Sequence, residues 1–153
     1  IEAWMAVVAT YRACEERYAR LLAHFGLSVA QFEVLSLLEG LGGAARPSEI
    51  ASRLLVSKGN VTALLGRLEA AGWVYVAADP ADGRGRVCRL APDTVPTVRE
   101  ARAAAARFID AQCAPFTTPE LTHVEDLMKR MHEHLLTMDV ATLAGRRPGR
   151  RRA

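Results

Sequence analysis

The chain has 153 residues, half of them apolar and about a quarter charged, with a formal net charge of +3. This size and balance suit one soluble globular domain built on a single core. No apolar run approaches the roughly 20 residues of a membrane span, and no charged-then-apolar leader precedes a small-residue cleavage site, so a cytoplasmic location is expected.

The charge is unevenly spread. Residues 1–45 carry three basic and five acidic groups, residues 46–89 seven and four, and residues 90–145 five and eight, while residues 146–153 add five arginines. Residues 46–89 are therefore the only net-positive part of the body, and local positive potential is what concentrates a polyanion. Three cysteines, Cys14, Cys88 and Cys113, are an odd number without a C-x-x-C, so buried reduced thiols are expected.

In chain order, Trp4, Val7, Val8, Tyr11, Cys14, Tyr18, Leu21, Leu22 and Phe25 recur at steps of three and four and predict a long helix over residues 3–25. Gly26 stops it. Ser28 is a natural N-cap for a second helix reaching Glu39, with Phe32, Leu35 and Leu38 inward. Residues 40–45 read as a glycine-rich turn. Pro47 and Glu49 suit the first and third positions of helix three, whose core residues are Ile50, Ala51, Leu54 and Leu55; Arg46 stands where a Ser or Thr would complete a capping box. Ser57 caps helix four, whose apolar face is Val61, Leu64, Leu65 and Leu68, and Gly72 terminates it.

Residues 73–78 form a β-leaning run answered by residues 86–90 across Asp79-Pro-Ala-Asp-Gly-Arg-Gly, a charged Asp/Gly/Arg loop suited to reaching out of the protein. An alanine-rich fifth helix runs over residues 95–113 behind an N-cap at Thr94, with Val98, Ala101, Ala105, Phe108 and Ile109 on one side. Pro115 and Pro119 break the chain. A last helix over residues 120–143 places Leu121, Val124, Leu127, Met128, Met131, Leu135 and Met138 at heptad-like steps.

Helix, tight turn, amphipathic helix, strand, charged loop and strand in this order read as a winged helix-turn-helix, which presents its second helix to the DNA major groove beside a cationic hairpin. Ser57, Lys58, Gly59, Asn60, Thr62 and Ala63 fill the first two turns of that helix: Asn can bridge adenine, Lys can reach guanine or phosphate, and small neighbours let the helix sink deep. The two terminal helices carry apolar stripes too long for the small central unit to cover, which predicts a homodimer. Trp4, Tyr11, Phe116, Leu127, Met131 and Leu135 are the candidate dimer residues. The fold class expected is mainly α (α+β), a winged helix-turn-helix with long N- and C-terminal dimerisation helices. A single domain over 1–145 would hold the DNA-binding lobe at 28–90 and dimerisation helices at 1–25 and 94–143, followed by a basic disordered tail at 146–153.

Several runs, Gln31-Phe-Glu-Val-Leu, Pro47-Ser-Glu-Ile-Ala, Val56-Ser-Lys-Gly-Asn-Val-Thr-Ala-Leu, Arg67-Leu-Glu-Ala-Ala-Gly-Trp-Val and Asp79-Pro-Ala-Asp-Gly-Arg, resemble the multiple antibiotic resistance regulator (MarR) family over residues 31–94. The D-x-R of Asp82 and Arg84, at this distance from the R-L-E-x-x-G helix end, carries most of the specificity. The resemblance implies a dimeric transcriptional regulator of double-stranded DNA, with helix four in the major groove, Arg84 in the minor groove and Asp82 bracing it. An Arg there reads groove width and potential and favours A·T-rich flanks. Ser48, Arg67 and Arg86 join the candidate DNA contacts. Two-fold symmetry implies a pseudo-palindromic operator.

Two departures stand out. The family's L-T-x-x-G after the wing is Leu90-Ala-Pro-Asp-Thr, and Arg46 replaces the capping hydroxyl before helix three, where it could touch a phosphate. The resemblance also implies a repressor released by a small phenolic, carboxylic or acyl-thioester ligand held among helices one, two and five. Tyr11, Arg12, Arg17, Tyr18 and Phe32 are the candidate pocket residues. The alternatives are a winged helix that binds protein and a thiol-based redox sensor, although Cys14 lies too close to Gln31 for the peroxide-sensing pattern. No catalytic motif is present, so no enzyme is expected. No cofactor is expected, and His24, His123, His132 and His134 lack i, i+4 metal spacing.

Overall fold

The computed structural model describes residues 1–79 and 82–143, apart from the side chains of Lys58 and residues 82–84. The elements are α1 (Glu2–Ala23), α2 (Val29–Gly40), β1 (Ala44–Ala45), α3 (Pro47–Arg53), α4 (Lys58–Ala70), β2 (Val74–Asp79), β3 (Asp82–Leu90), a 3₁₀ turn (Pro92–Thr94), α5 (Val95–Cys113), α6 (Thr118–Thr137) and α7 (Val140–Leu143). This is the mainly helical winged-helix architecture that the order of sequence elements implies. The chain divides into two compact units, Ile1–Asp110 and Ala111–Ala153.

The first unit holds the core. Helix α2 lies at its centre because Phe32, Val34, Leu35 and Leu38 are all buried. Leu22, Ile50, Val61, Leu65, Leu68, Val74, Cys88, Leu90 and Val98 close around it. Ser28 caps α2 through a full box: its Oγ accepts from the Gln31 N–H at 3.3 Å, and Gln31 Oε1 accepts from the Ser28 N–H at 2.9 Å. On α5 the buried side is Val98, Ala101, Ala104 and Ala105, whereas Ile109, expected on that side, is 56% exposed. Arg99 Nε donates to Glu39 Oε1 at 2.9 Å and Arg102 pairs with the same carboxylate, binding α5 to the end of α2.

The helix ends explain one error of the sequence reading. After α4, Gly72 at φ +76° lets the Trp73 N–H reach Leu68 O at 2.9 Å, the left-handed Schellman closure that glycine supplies at no steric cost. Helix α3 ends the same way, with the Val56 N–H on Ala51 O at 3.1 Å, but the left-handed residue is Leu55 at φ +55°. Leu55 is consequently no core residue. The reversal swings its side chain off the inner face of α3 and leaves it 92% exposed.

The sheet is also larger than expected. Within the supposed glycine-rich turn, β1 pairs antiparallel with β3, Ala44 opposite Arg89 and Ala45 opposite Cys88, giving the strand order β1-β3-β2. The hairpin pairs beyond residues 78 and 86, up to Asp79 opposite Asp82, with a register shift after Ala78, which lies opposite Arg86. At its other end the chain turns into α5 differently from the expected cap. The Thr94 hydroxyl donates backward, to Ala91 O at 2.7 Å and toward Trp73 O at 3.3 Å, so it ties the helix start to the foot of β2.

In the second unit, α6 begins two residues before the expected start because Thr117 caps it. The Thr117 N–H and Oγ1 both donate to Glu120 Oε2, at 2.8 and 2.7 Å. The backbone bond, followed by the hydroxyl, holds the Glu120 carboxyl below the usual carboxylate range. The helix ends at Thr137 rather than running to residue 143. Met138 is extended, and Asp139 Oδ1 accepts from the Ala141 N–H at 3.0 Å to start α7. Helix α6 buries none of its residues.

Candidate nucleic-acid interface

Helix α4 is set by the residues at its two ends. Ser57 Oγ accepts from the Asn60 N–H at 3.3 Å, so the serine hydroxyl satisfies one of the orphan donors of the first turn. Val61, Leu65 and Leu68 are buried on the inner face. The opposite face exposes Gly59, Asn60, Thr62, Ala63, Gly66 and Arg67, beside the exposed Ser57. Gly59 and Gly66 have open space where a Cβ would stand. A face with so little side-chain bulk brings the helix backbone close to whatever it docks on, which suits the floor of a major groove. Ser48, on α3, is exposed as well.

At the other end, Glu69 Oε1 accepts from the Val76 N–H at 3.1 Å. Strand β2 is an edge of the sheet, and this carboxylate occupies one of its outward donors while fixing the angle between α4 and the hairpin. Glu69 was missing from the sequence-derived site, although it is the Glu of the quoted Arg67-Leu-Glu run. A second missed contact is Arg46 Nε to Asp79 Oδ2 at 2.6 Å, between the residue that opens α3 and the last residue of β2. Arg46, which could touch a phosphate, donates from Nε to this carboxylate.

Arg86 is exposed on β3 opposite Ala78. The side chains of Lys58, Asp82 and Arg84, and the basic tail at 146–153, lie outside what the structure describes.

The residues expected in a ligand pocket do not gather in one place. Tyr18 stands edge-on to Phe32, with ring centroids 6.1 Å apart, and tilts against Phe108 at 5.4 Å, so the three rings fill the space between α1, α2 and α5. Burial raises the Tyr18 phenol above its ordinary value, with smaller contributions from Glu33 and Cys14. Tyr11, Arg12 and Arg17 are exposed on α1. An open cavity of about 570 Å³ lies instead between α2 and the end of α3, lined by Phe32, Glu33, Ser36, Leu37, Gly40, Leu41, Arg53, Leu54 and Leu55. Of the sequence-derived set only Phe32 reaches it.

Of the candidate dimer residues, Trp4 and Tyr11 are 57% and 64% exposed on α1, and Phe116, Leu127, Met131 and Leu135 are all exposed in the second unit. Among the described residues no three His, Cys, Asp or Glu side chains cluster as a metal requires, and no helix is long and apolar enough to cross a membrane.

A small-faced helix delivered by a tight turn, capped at its N-terminus and braced against an adjacent hairpin, defines a winged-helix DNA-binding regulator. Residues 25–85 match the sequence model of the MarR family. Among curated relatives it is similar to PecS of Dickeya dadantii, 29% identical over 122 residues that make up 76% of this chain and 72% of that one. It is also similar to TtmR of Methylorubrum extorquens, 44% identical over 82 residues, 52% of this chain but only 40% of TtmR. Both are HTH-type transcriptional regulators.

The fold matches AbsC, a MarR family regulator from Streptomyces coelicolor, with TM-score 0.79 and 23% identity over 89% of this chain and 93% of AbsC. It matches E. coli MarR complexed with operator DNA with TM-score 0.74 and 22% identity, over 86% and 94% of the two chains. The organohalide-sensing regulator RdhR in its 2,4-dichlorophenol-bound form aligns with TM-score 0.76 and 22% identity, over 86% and 78%. The curated relatives PecS and TtmR are transcriptional regulators, not enzymes.

Proposed function

We propose that the protein is a homodimeric repressor that binds a pseudo-palindromic operator and is released from it by a small ligand of phenolic, carboxylic or acyl-thioester character. The observation that carries the DNA reading is the outer face of α4, where Gly59, Asn60, Ala63 and Arg67 are exposed on a helix fixed at both ends. Asn60 would read bases and Arg84 would enter the minor groove. The second copy is supported by the apolar stripe of α6, none of whose residues is buried.

The ligand is assigned to the cavity between α2 and α3, because it abuts the turn that delivers α4. Leu37, Leu41 and Leu54 supply apolar surface, Ser36 a hydroxyl and Arg53 a cation for an acidic group. A ligand there acts only by binding the DNA-competent and DNA-incompetent arrangements with different affinity. RdhR, a relative in fold, was crystallised with a chlorinated phenol.

Fluorescence anisotropy with duplexes from the DNA flanking its own gene tests the reading. Arg84→Ala should cost about 1–3 kcal/mol of operator binding, and Asn60→Ala should relax base preference at one position of each half-site. Equal loss on all duplexes from the Asn60 change would contradict base readout. Leu37→Trp, which fills the cavity, should abolish release by aromatic acids while DNA binding persists.

A further inference from the structure

Among the described residues, Asp79 is the one polar or charged residue that the fold buries, at 7% exposure. A carboxylate taken out of water is costly, and a buried ion pair seldom gains stability over apolar residues of the same volume. Its partner has no capping role: Arg46 stands at the N-cap of α3, but a guanidinium has no acceptor for the helix N–H groups and makes no cap bond there. Arg46 directly follows β1, Asp79 ends β2, and β3 lies between those strands. The 2.6 Å bond therefore straps across the central strand, from the opening of the helix pair to the far edge of the sheet.

The strap falls at a point where the hairpin needs support. Between Ala78 and Asp79 the pairing shifts, with Ala78 opposite Arg86 and Asp79 opposite Asp82. Regular ladder pairing stops fixing the direction of the wing at that step, and a bulged strand bends and twists there. Beyond it the chain carries the sequence from Asp82 to Arg86.

We infer that Arg46 and Asp79 are positioning residues for DNA reading, an ion-paired strap that aims the wing relative to the recognition helix. The inference rests on the proposed reading of DNA by α4 and the wing. It differs from a phosphate contact by Arg46 in one respect: an anion, Asp79, must also be required for specific binding.

The probe is the duplex that the wild-type full chain selects from a random-sequence library, compared with an unselected duplex of the same length. Asp79→Ala removes a negative charge near DNA, which alone would leave binding unchanged or strengthen it. The strap predicts the opposite on the selected duplex, a loss of about tenfold, with no loss on the unselected one. Arg46→Ala should lose the same specificity, and the double variant should lose no more than either single change. Melting curves establish that each variant is folded. If Arg46→Ala fails to fold, Asp79→Ala still decides, because it removes the buried charge and leaves Arg46, half-exposed at 51%, able to take up water.

An Asp79→Ala variant that binds the selected duplex as tightly as wild type would overturn the strap. So would an Arg46→Ala variant that weakens both duplexes alike and lowers the salt slope by about one, the signature of a lost phosphate contact. A wild-type chain that selects no duplex at all would instead overturn the DNA reading on which the strap rests.

Discussion

Substituting Leu135 tests whether a second copy covers α6. The helix runs 20 residues and exposes Leu121, Val124, Leu127, Met128, Met131 and Leu135 at steps of three and four. An amphipathic helix that buries none of its residues gains little from tertiary packing, so its apolar stripe calls for a partner. Leu135 is 50% exposed, which leaves half of its surface for that partner. Half the worth of a buried leucine is roughly 1 kcal/mol, and an isologous interface contains the residue twice, so Leu135→Ala should weaken the dimer by about 2 kcal/mol, or thirtyfold. Leu135→Glu adds two carboxylates to an apolar contact and should cost about 4 kcal/mol or more, a thousandfold at least. Light scattering over a dilution series reads both. Wild type should be dimeric at micromolar concentration, the Ala variant should dissociate on dilution, and the Glu variant should be monomeric throughout. A Glu variant with the dimer affinity of wild type would refute the reasoning, and a monomeric wild type would remove the dimer altogether.

Leu55→Gly should leave the protein as stable or raise its stability by up to about 1 kcal/mol, because the left-handed residue loses its Cβ clash at an exposed site; a loss above 1 kcal/mol in urea unfolding would contradict the strain. Cys88 is fully buried and its thiol is pushed up to about 11, mainly by burial and secondarily by Glu69. The fold therefore favours the neutral thiol, whose contribution is intact below pH 9 and is lost as the pH rises from 9 toward 11. Cys88→Ala should flatten that part of the stability–pH curve, and native Cys88 should alkylate after Cys14 and Cys113; alkylation of all three at one rate would count against its burial. Glu69→Ala leaves the Val76 N–H to water and should cost about 1 kcal/mol, seen as a fall of a few degrees in Tm; an unchanged Tm would show the tether to be energetically idle.

What the sequence disclosed and what it hid divide by the range of the interactions involved. Ser57 and Gly72 were legible because a cap and a left-handed terminator act within five residues of themselves. The stripe of α6 was legible because helical period alone reveals it, whatever covers the helix. Leu55 misled for the same reason: period placed it on the inner face of α3, but the turn to α4 needed a left-handed residue there, and no glycine marked the place. Strand β1 was hidden because two alanines show no alternation, and only pairing with Arg89 and Cys88 makes them a strand.

The polar contacts that orient the site were the least legible of all. Arg46 and Asp79 are 33 residues apart, and Arg99 and Glu39 are 60 apart. Each arginine taken alone reads as a surface cation, and only the partner brought to it by the fold shows otherwise. The cavity was obscured likewise, since its walls come from α2 and from a turn whose exposed leucine had been placed in the core. The exposed residues of α4 follow from local pattern. Their aim relative to the wing depends on Glu69, Arg46 and Asp79, whose partners local pattern does not reveal. Substitutions at those three positions can therefore alter DNA reading without changing any residue on the outer face of α4.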